Sequence, residues 1–466
     1  MDAAIPRAGI ALMVVLGAGL FWWLQPLGAE YLVIQHGGGA EVWTACLCFF
    51  QLALLTGYLY AHAIGRWFPP TVALRLHGGM TLVAAMLLRH PSEPLSDQAS
   101  IHLTWRIIAQ LTRDIGPATV LLAATSPLTQ LAYHRVTRRP PWRLYALANL
   151  AALLLLLTHP TLFEPFLSSV TQGHAWRGLL ICYALACFTV TSPALAPTHA
   201  AHQEAERPPP PHPWLWIALA AAASALLIAT TEALARDMAS HPILWVAPLA
   251  VFLASIVITF DRPHLYRAGP GLVAMGLAML AVIVAHAFND EVPFLLNASA
   301  HLALLAAGAT LCHGELYRAR PASTEVTRYH LSMALGGALG GIAVAIGAPA
   351  LSDRMVELPL SALCVCTAAA LAVRRRPADR PLIHRATLGL IALALIAGAL
   401  SLSRLEGALR YDQDVVLRSR NAYGTLTLVE RRLTDTTKLM LIDGNTTHGE
   451  AHVAGKDVGA PTLYYA

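Results

Sequence analysis

Six ionisable side chains interrupt apolar stretches of this 466-residue chain: Glu232, Asp237, His313, Glu315, Arg328 and His330. A charge among apolar residues is costly, so each one calls for a functional hypothesis. A carboxylate there can attract a cationic solute, and a histidine can exchange a proton near neutral pH. His313 and Glu315 are two residues apart and so do not share a helical face; two metal ligands on one face would stand four apart. An interfacial structural role therefore competes with a polar path at that pair. Asp237 follows Arg236 directly, which favours a cap or an interhelical ion pair over catalysis. Near the C-terminus, Asp443-Gly444-Asn445 is a turn signal before it is a binding carboxylate, and His448 is either a base or a residue that holds the turn.

The elements that must position these groups are helices in a membrane. Apolar residues make up 56% of the chain and charged residues 13%, against about 25% charged in a soluble protein. A helix needs about 20 apolar residues to cross a bilayer, and about thirteen such stretches fill the chain to residue 404. They run approximately over 8–27, 42–65, 70–88, 105–126, 142–162, 174–195, 214–233, 241–260, 268–287, 293–315, 326–349, 357–374 and 382–403. Unbroken runs such as Ala151–Leu157 lack the alternation of a β-barrel. The first stretch has no small-residue cleavage ending and reads as a retained span.

Residues 1–196 hold about six spans and residues 214–404 about seven, separated by the Pro-rich linker 197–213, which favours extended polyproline geometry. The seven cysteines all fall inside spans, which suits small buried apolar side chains better than a disulfide framework. Gly336, Gly337, Gly340 and Gly341 form two small-xxx-small pairs, a pattern that lets helix backbones approach closely. Tryptophans including Trp22, Trp23, Trp67, Trp142, Trp214 and Trp216 fall near span ends and suggest interfacial belts. The twenty histidines are dispersed, so no metal site is expected. Arginine crowds alternate loops: Arg66, then Arg135, Arg138, Arg139 and Arg143, then Arg262 and Arg267, then Arg318 and Arg320, then Arg374 to Arg376. The positive-inside rule places these loops and the N-terminus in the cytoplasm, and with thirteen spans the C-terminal module lies outside.

From Arg404 the composition changes. Gly424–Glu430 alternates like a strand, Thr437–Ile442 suggests a second and Thr446–Val453 a third. The fold class expected is an all-α polytopic membrane protein with a small β-module at 405–466.

The segments Glu41–Gln51, Gly57–His62, Ala124–Leu128, Tyr145–Asn149, Asp237 with Pro242–Pro248, Cys312–Leu316, Leu335–Gly341, Arg420–Gly424, Gly444 with Thr447–Gly449, and Pro461–Tyr465 form a combined pattern. Together they resemble the bacterial family of fused major-facilitator/spermidine-synthase-like membrane proteins. The resemblance implies a bacterial inner membrane and a C-terminal stretch that opens a spermidine-synthase-like domain. It implies substrate-binding roles for Tyr423, Asp443, His448, Tyr464 and Tyr465. It departs from the synthases at Gly424, where they carry glutamine. The Gly-rich cofactor loop of such a domain does not occur before Ala466, so no complete active site, no catalytic residue and no cofactor is expected here. A decarboxylated S-adenosylmethionine-like cofactor is implied only for an extended chain.

Three functional readings follow: an aminopropyltransferase-like protein whose catalytic half lies outside this chain, a transporter or exporter of small solutes such as amines, and a non-catalytic subunit of a membrane complex. The expected partners are the lipid bilayer and other membrane subunits or further copies of the chain. Nucleic acid is not expected, because the arginines orient helices.

Overall fold

The computed structural model describes residues 5–36, 40–88, 103–189, 212–235, 243–287, 292–374, 389 and 415–458, the last apart from 422–423, 433–434, 444–445 and 457. The helices are α1 (Ile5–His36), α2 (Ala40–Trp67), α3 (Pro70–Leu87), α4 (Leu103–Asp114), α5 (Gly116–Thr137), α6 (Trp142–Thr158), α7 (Glu164–Phe166) and α8 (Ser169–Thr189). There follow α9 (Pro213–Ala235), α10 (Ile243–Asp261), α11 (Ala268–Ala287), α12 (Phe294–Arg318), α13 (Val326–Ile342), α14 (Ala348–Leu351) and α15 (Glu357–Arg374). Seven described stretches are long and apolar enough to cross a membrane: Gly9–Gly28, Ala45–Trp67, Trp142–Phe166, Pro213–Leu234, Ala268–His286, Phe294–Arg318 and Ser323–Leu351. The chain is a multi-pass membrane protein. The expected span 382–403 lies outside the described residues apart from residue 389.

Local sequence explains where the helices differ from the expected spans. α1 continues to His36, nine residues past its apolar stretch, because hydropathy marks what lipid tolerates and not where a helix must stop. The single stretch expected over 105–126 is two helices. They meet at Ile115, where Gly116 and Pro117 open α5, the first turn being the place where a Pro costs no helical hydrogen bond. α4 is amphipathic, with Ile107, Gln110 and Leu111 buried and Trp105 exposed. Five-residue π-turns extend α6 (His159–Phe163) and α13 (Ala343–Gly347), a geometry often found where function requires a departure from regular helix.

Two large apolar clusters form the interior. One joins side chains of α1, α2, α3, α4, α5 and α8. The other joins α9 to α13 and α15, and it takes in Leu131, Trp142 and Ala146 from α5 and α6. The two helix sets meet where α2 packs against α13 and α6 against α10. The glycines of α13 serve two neighbours. A Cβ at Gly336 or Gly340 would land on the backbone oxygen of Ile217 or Ala221 in α9, whereas one at Gly337 would stand 3.3 Å from the Gln51 side chain of α2, and one at Gly341 would stand 3.3 Å from Ile228 of α9 and 3.9 Å from Gln51. Close backbone packing is thus the role of Gly336 and Gly340.

The tryptophan expectation needs correction. Trp67 and Trp214 are exposed, but Trp23, Trp142 and Trp216 are buried. Each of the first and last has its indole N–H engaged: Trp23 on Gln172 Oε1 at 3.1 Å and Trp216 on the Ala319 carbonyl at 2.8 Å. Proximity to a span end does not place an indole at the membrane surface when a neighbouring helix covers it and supplies an acceptor. Among the cysteines, Cys182 and Cys364 are exposed and the other five are buried.

The C-terminal module has four strands, one more than expected: β1 (Val415–Asn421), β2 (Gly424–Arg432), β3 (Thr436–Asp443) and β4 (Thr446–Gly455), antiparallel in sequential order. β1 escapes a reading by alternation because its register shifts between Val415 and Leu417, a bulge that breaks the two-residue period. Val429, Met440 and Ile442 form a small core on one face with Val415 against it. Leu417, Leu428 and Leu441 pair across the other.

Candidate functional site

Two polar contacts between the helix sets lie at the start of α13, one of them at His330, which is 0% exposed. α13 begins after the 3-10 turn Ser323–Glu325 and places Thr327 and His330 in its first turns, facing α2 and α5. His330 Nε2 lies 3.0 Å from Gln130 Oε1. The Gln130 amide nitrogen donates to Ser126 Oγ at 2.9 Å, which turns its carbonyl towards His330; Nε2 must then carry the hydrogen and donate. Thr327 Oγ1 lies 3.0 Å from Nδ1 of His62 in α2. These two bonds join α13 to α5 and α2.

Aromatic rings enclose the histidine. Tyr145 lies 4.8 Å, Tyr329 5.7 Å and Tyr58 5.8 Å from the His330 ring. Trp142 and Trp216 meet Tyr329 edge-on at 5.6 and 5.1 Å, and Tyr145 meets Phe260 of α10 at 4.9 Å. His330 Nδ1 has no hydrogen-bond partner among the described residues. The arrangement offers amide, hydroxyl and imidazole groups between aromatic faces inside an apolar interior.

The other helical candidates join separate networks. Glu315 is 0% exposed and accepts from Tyr266 Oη at 2.7 Å, with Arg318 Nη1 at 3.4 Å. The Arg318 guanidinium also lies over the Tyr266 ring at 4.5 Å and donates to the Tyr266 carbonyl at 3.1 Å. His313 Nδ1 lies 2.7 Å from Ser255 Oγ and its ring meets Phe252 at 4.8 Å. The pair therefore faces different neighbours, as the two-residue spacing requires, but both are buried, where proximity to a span end suggested contact with water. Arg328 is exposed and pairs with Glu325 at 3.3 Å; Glu232 is half-buried near the end of α9. Asp237, Tyr423, Tyr464 and Tyr465 lie outside the described residues. Asp443 ends β3, paired with Leu426 and Thr446, and His448 is exposed on β4 without a hydrogen bond or ion pair among the described residues.

The sequence marks His330 as a candidate but not Gln130, Tyr58, His62 or Tyr145. The available signal was polar type within an apolar run, as in Leu128-Thr129-Gln130-Leu131. A further buried network, His77 Nε2 to Tyr183 Oη at 3.0 Å and Tyr183 Oη to Thr125 Oγ1 at 2.7 Å, joins α3, α8 and α5.

No protein-family model matches the chain, and no curated protein matches it. Solved structures do. A D-xylose–proton symporter superposes with a TM-score of 0.50 at 12% identity, covering 81% of this chain and 98% of the symporter. The major facilitator superfamily proton:xylose symporter XylE bound to 6-bromo-6-deoxy-D-glucose gives 0.49 at 10% identity, over 86% and 95%. The human organic anion transporter MFSD10 gives 0.46 at 12% identity, over 84% and 98%. The first of these likenesses establishes a shared fold.

Proposed function

We propose that the protein is a transporter of a small polar solute, working by rearrangement of the α1–α8 set against the α9–α15 set. The observation that carries this reading is the His330–Gln130 hydrogen bond, buried between the two sets in a chain whose fold is that of a proton-coupled sugar symporter. Rearrangement of the sets breaks this bond and the His62–Thr327 bond together, and it exposes the tyrosine-lined surfaces of Tyr58 and Tyr145 to solute. The arginine-rich turns face the cytoplasm in this reading, by the positive-inside rule.

The test is solute-driven flux or current in proteoliposomes, screened over neutral sugars, polyamines and organic anions. Flux of one class is expected, together with its loss when His62→Cys and Thr327→Cys are joined by a short crosslinker. Absence of flux for every class, with correctly folded protein, would sink the reading and favour a non-catalytic subunit.

A second reading keeps the spermidine-synthase-like resemblance. It is favoured by the β-module, in which Arg420, Asn421, Gly424, Thr447 and Gly449 of the resembling segments lie on strands β1, β2 and β4 of one four-stranded sheet. Intact mass of the protein from its native membranes tests it: a mass exceeding 49.8 kDa by about a soluble domain supports a transferase half, and a mass equal to it removes this reading.

A further inference from the structure

Two arginine-rich turns meet where α6 packs against α10. The α5–α6 turn carries Arg138, Arg139 and Arg143, and the α10–α11 turn carries Arg262, His264 and Arg267; all six side chains are exposed. Arg143 Nε reaches Asp261 Oδ1 at 3.0 Å, which ties the turns together, and Arg262 stands 3.8 Å from the other oxygen of the same carboxylate. Arg138, Arg139 and Arg267 form no ion pair among the described residues. Of five arginines on the two turns, two share the Asp261 carboxylate and three have no counter-charge among the described residues, a local excess of positive charge at a helix–helix seam.

The backbone presents this charge from a fixed position. Arg138 adopts φ 54° and closes α5 by donating its N–H to the His134 carbonyl at 2.8 Å. The Arg139 N–H donates to Thr137 Oγ1 at 3.2 Å, its carbonyl accepts from His134 Nδ1 at 3.2 Å, and Pro140 and Pro141 follow. A left-handed residue other than glycine or asparagine costs energy, so the surrounding bonds hold it there. Leu265, 56% exposed, stands between Arg262 and Arg267 and supplies an apolar contact beside the charge.

We propose that this seam binds the headgroup of an anionic phospholipid, with Arg138, Arg139 and Arg267 on its phosphate oxygens and Leu265 against its acyl chains. Arginine suits the task because its planar fork pairs two N–H groups with two phosphate oxygens, and basic pockets between membrane helices recognise such headgroups. A bound headgroup spans α5–α6 and α10–α11 and so adds a bridge between the helix sets to the Arg143–Asp261 pair. The proposal requires a membrane-embedded protein and is independent of whether it transports a solute.

The test compares phosphatidylglycerol with phosphatidylcholine retained by the full-length protein, extracted from bilayers of equal parts of each and weighed intact in the gas phase. Wild type is expected to retain phosphatidylglycerol preferentially. Arg139→Gln/Arg267→Gln is expected to lower that preference by about tenfold or more, since each basic residue near an anionic surface contributes several-fold. Arg66→Gln/Arg328→Gln removes equal charge elsewhere at the arginine-rich end and is expected to stay within about twofold of wild type, as nonspecific attraction is shared among many arginines. Equal losses in both variants, or no loss in the first, overturn the proposal. If the glutamine variant does not fold, Arg139→Lys/Arg267→Lys keeps charge and loses the fork; retention equal to wild type then overturns it.

Discussion

Arg420 in β1 and Glu357, the first residue of α15, form a buried ion pair, with side chains 3% and 4% exposed. Arg420 Nη1 also donates to the Arg354 carbonyl at 2.7 Å. Residues 352–356 join α14 to α15. α13 starts at the arginine-rich end and runs away from it, so this turn lies at the opposite end of the bundle. The sheet is docked there, away from the Arg138, Arg139 and Arg267 seam.

Breaking that pair from one side should be costly. Glu357→Gln leaves the guanidinium buried without its counter-charge, a change that costs about 3–5 kcal/mol in buried pairs. Most of that is expected to act on docking and not on the helices, whose packing lies elsewhere. Amide exchange in β1 and β2 is therefore expected to rise by orders of magnitude in Glu357→Gln, while α9 and α13 stay protected. The double variant Arg420→Met/Glu357→Leu should exchange more slowly than Glu357→Gln. Unchanged β1 exchange in the single variant would show that other contacts hold the sheet.

The seam around His330 makes a second prediction. Gln130→Leu removes the acceptor of the His330 Nε2 hydrogen and leaves a buried donor unpaired, at a cost of about 1–3 kcal/mol. His330→Leu/Gln130→Leu removes both groups and should recover part of it. The melting temperature in a fixed detergent reads both. Solute flux should fall in both variants if His330 lies on the path, so stability and flux part company in the double variant.

Much of the helical architecture is legible in the sequence because bilayer thickness imposes a length on every span and forbids unpaired backbone groups. The Gly336 and Gly340 pair of α13 is legible for a different reason: its four-residue spacing marks a face where close packing leaves no room for a side chain. The site was half legible. His330 stands out as an ionisable residue in an apolar run, but Gln130 lies 200 residues away on α5, and no periodicity links them. Tyr58 and Tyr145 read as ordinary interior aromatics until the fold places them on one histidine. Trp142 and Trp216 misled for a related reason: sequence gives depth along a helix, not which neighbour covers a face.

Glycine substitutions in α13 and in the π-turn that extends it should separate close helix packing from open space. A methyl at Gly340 meets the Ala221 backbone, which cannot swing aside as a side chain can, whereas the nearest atom to one at Gly347 is Ile342 O at 3.8 Å. Gly340→Ala is expected to destabilise by about 1–3 kcal/mol through overpacking. Gly347→Ala should change stability by less than about 1 kcal/mol, with a small gain possible from a stiffer unfolded chain. Thermal unfolding of the two variants side by side checks the ordering, and equal effects would mean that α9 and α13 part easily.

Glu315 tests whether a buried carboxylate in this bundle serves structure or solute. Its oxygen accepts from Tyr266 Oη and faces Arg318, so one side chain links α12 to the start of the segment before α11. Glu315→Gln keeps the size and an acceptor for Tyr266 but withdraws the charge facing Arg318. That guanidinium is 34% exposed, so water compensates much of the loss and the cost should be about 1 kcal/mol or less. Glu315→Leu also strands the tyrosine hydroxyl, which adds about 1–3 kcal/mol. With a structural role, melting temperature falls in the order wild type, Glu315→Gln, Glu315→Leu, and the flux of folded Glu315→Gln stays near wild type. Abolished flux in a Glu315→Gln protein of unchanged stability would move Glu315 from the scaffold to the solute path.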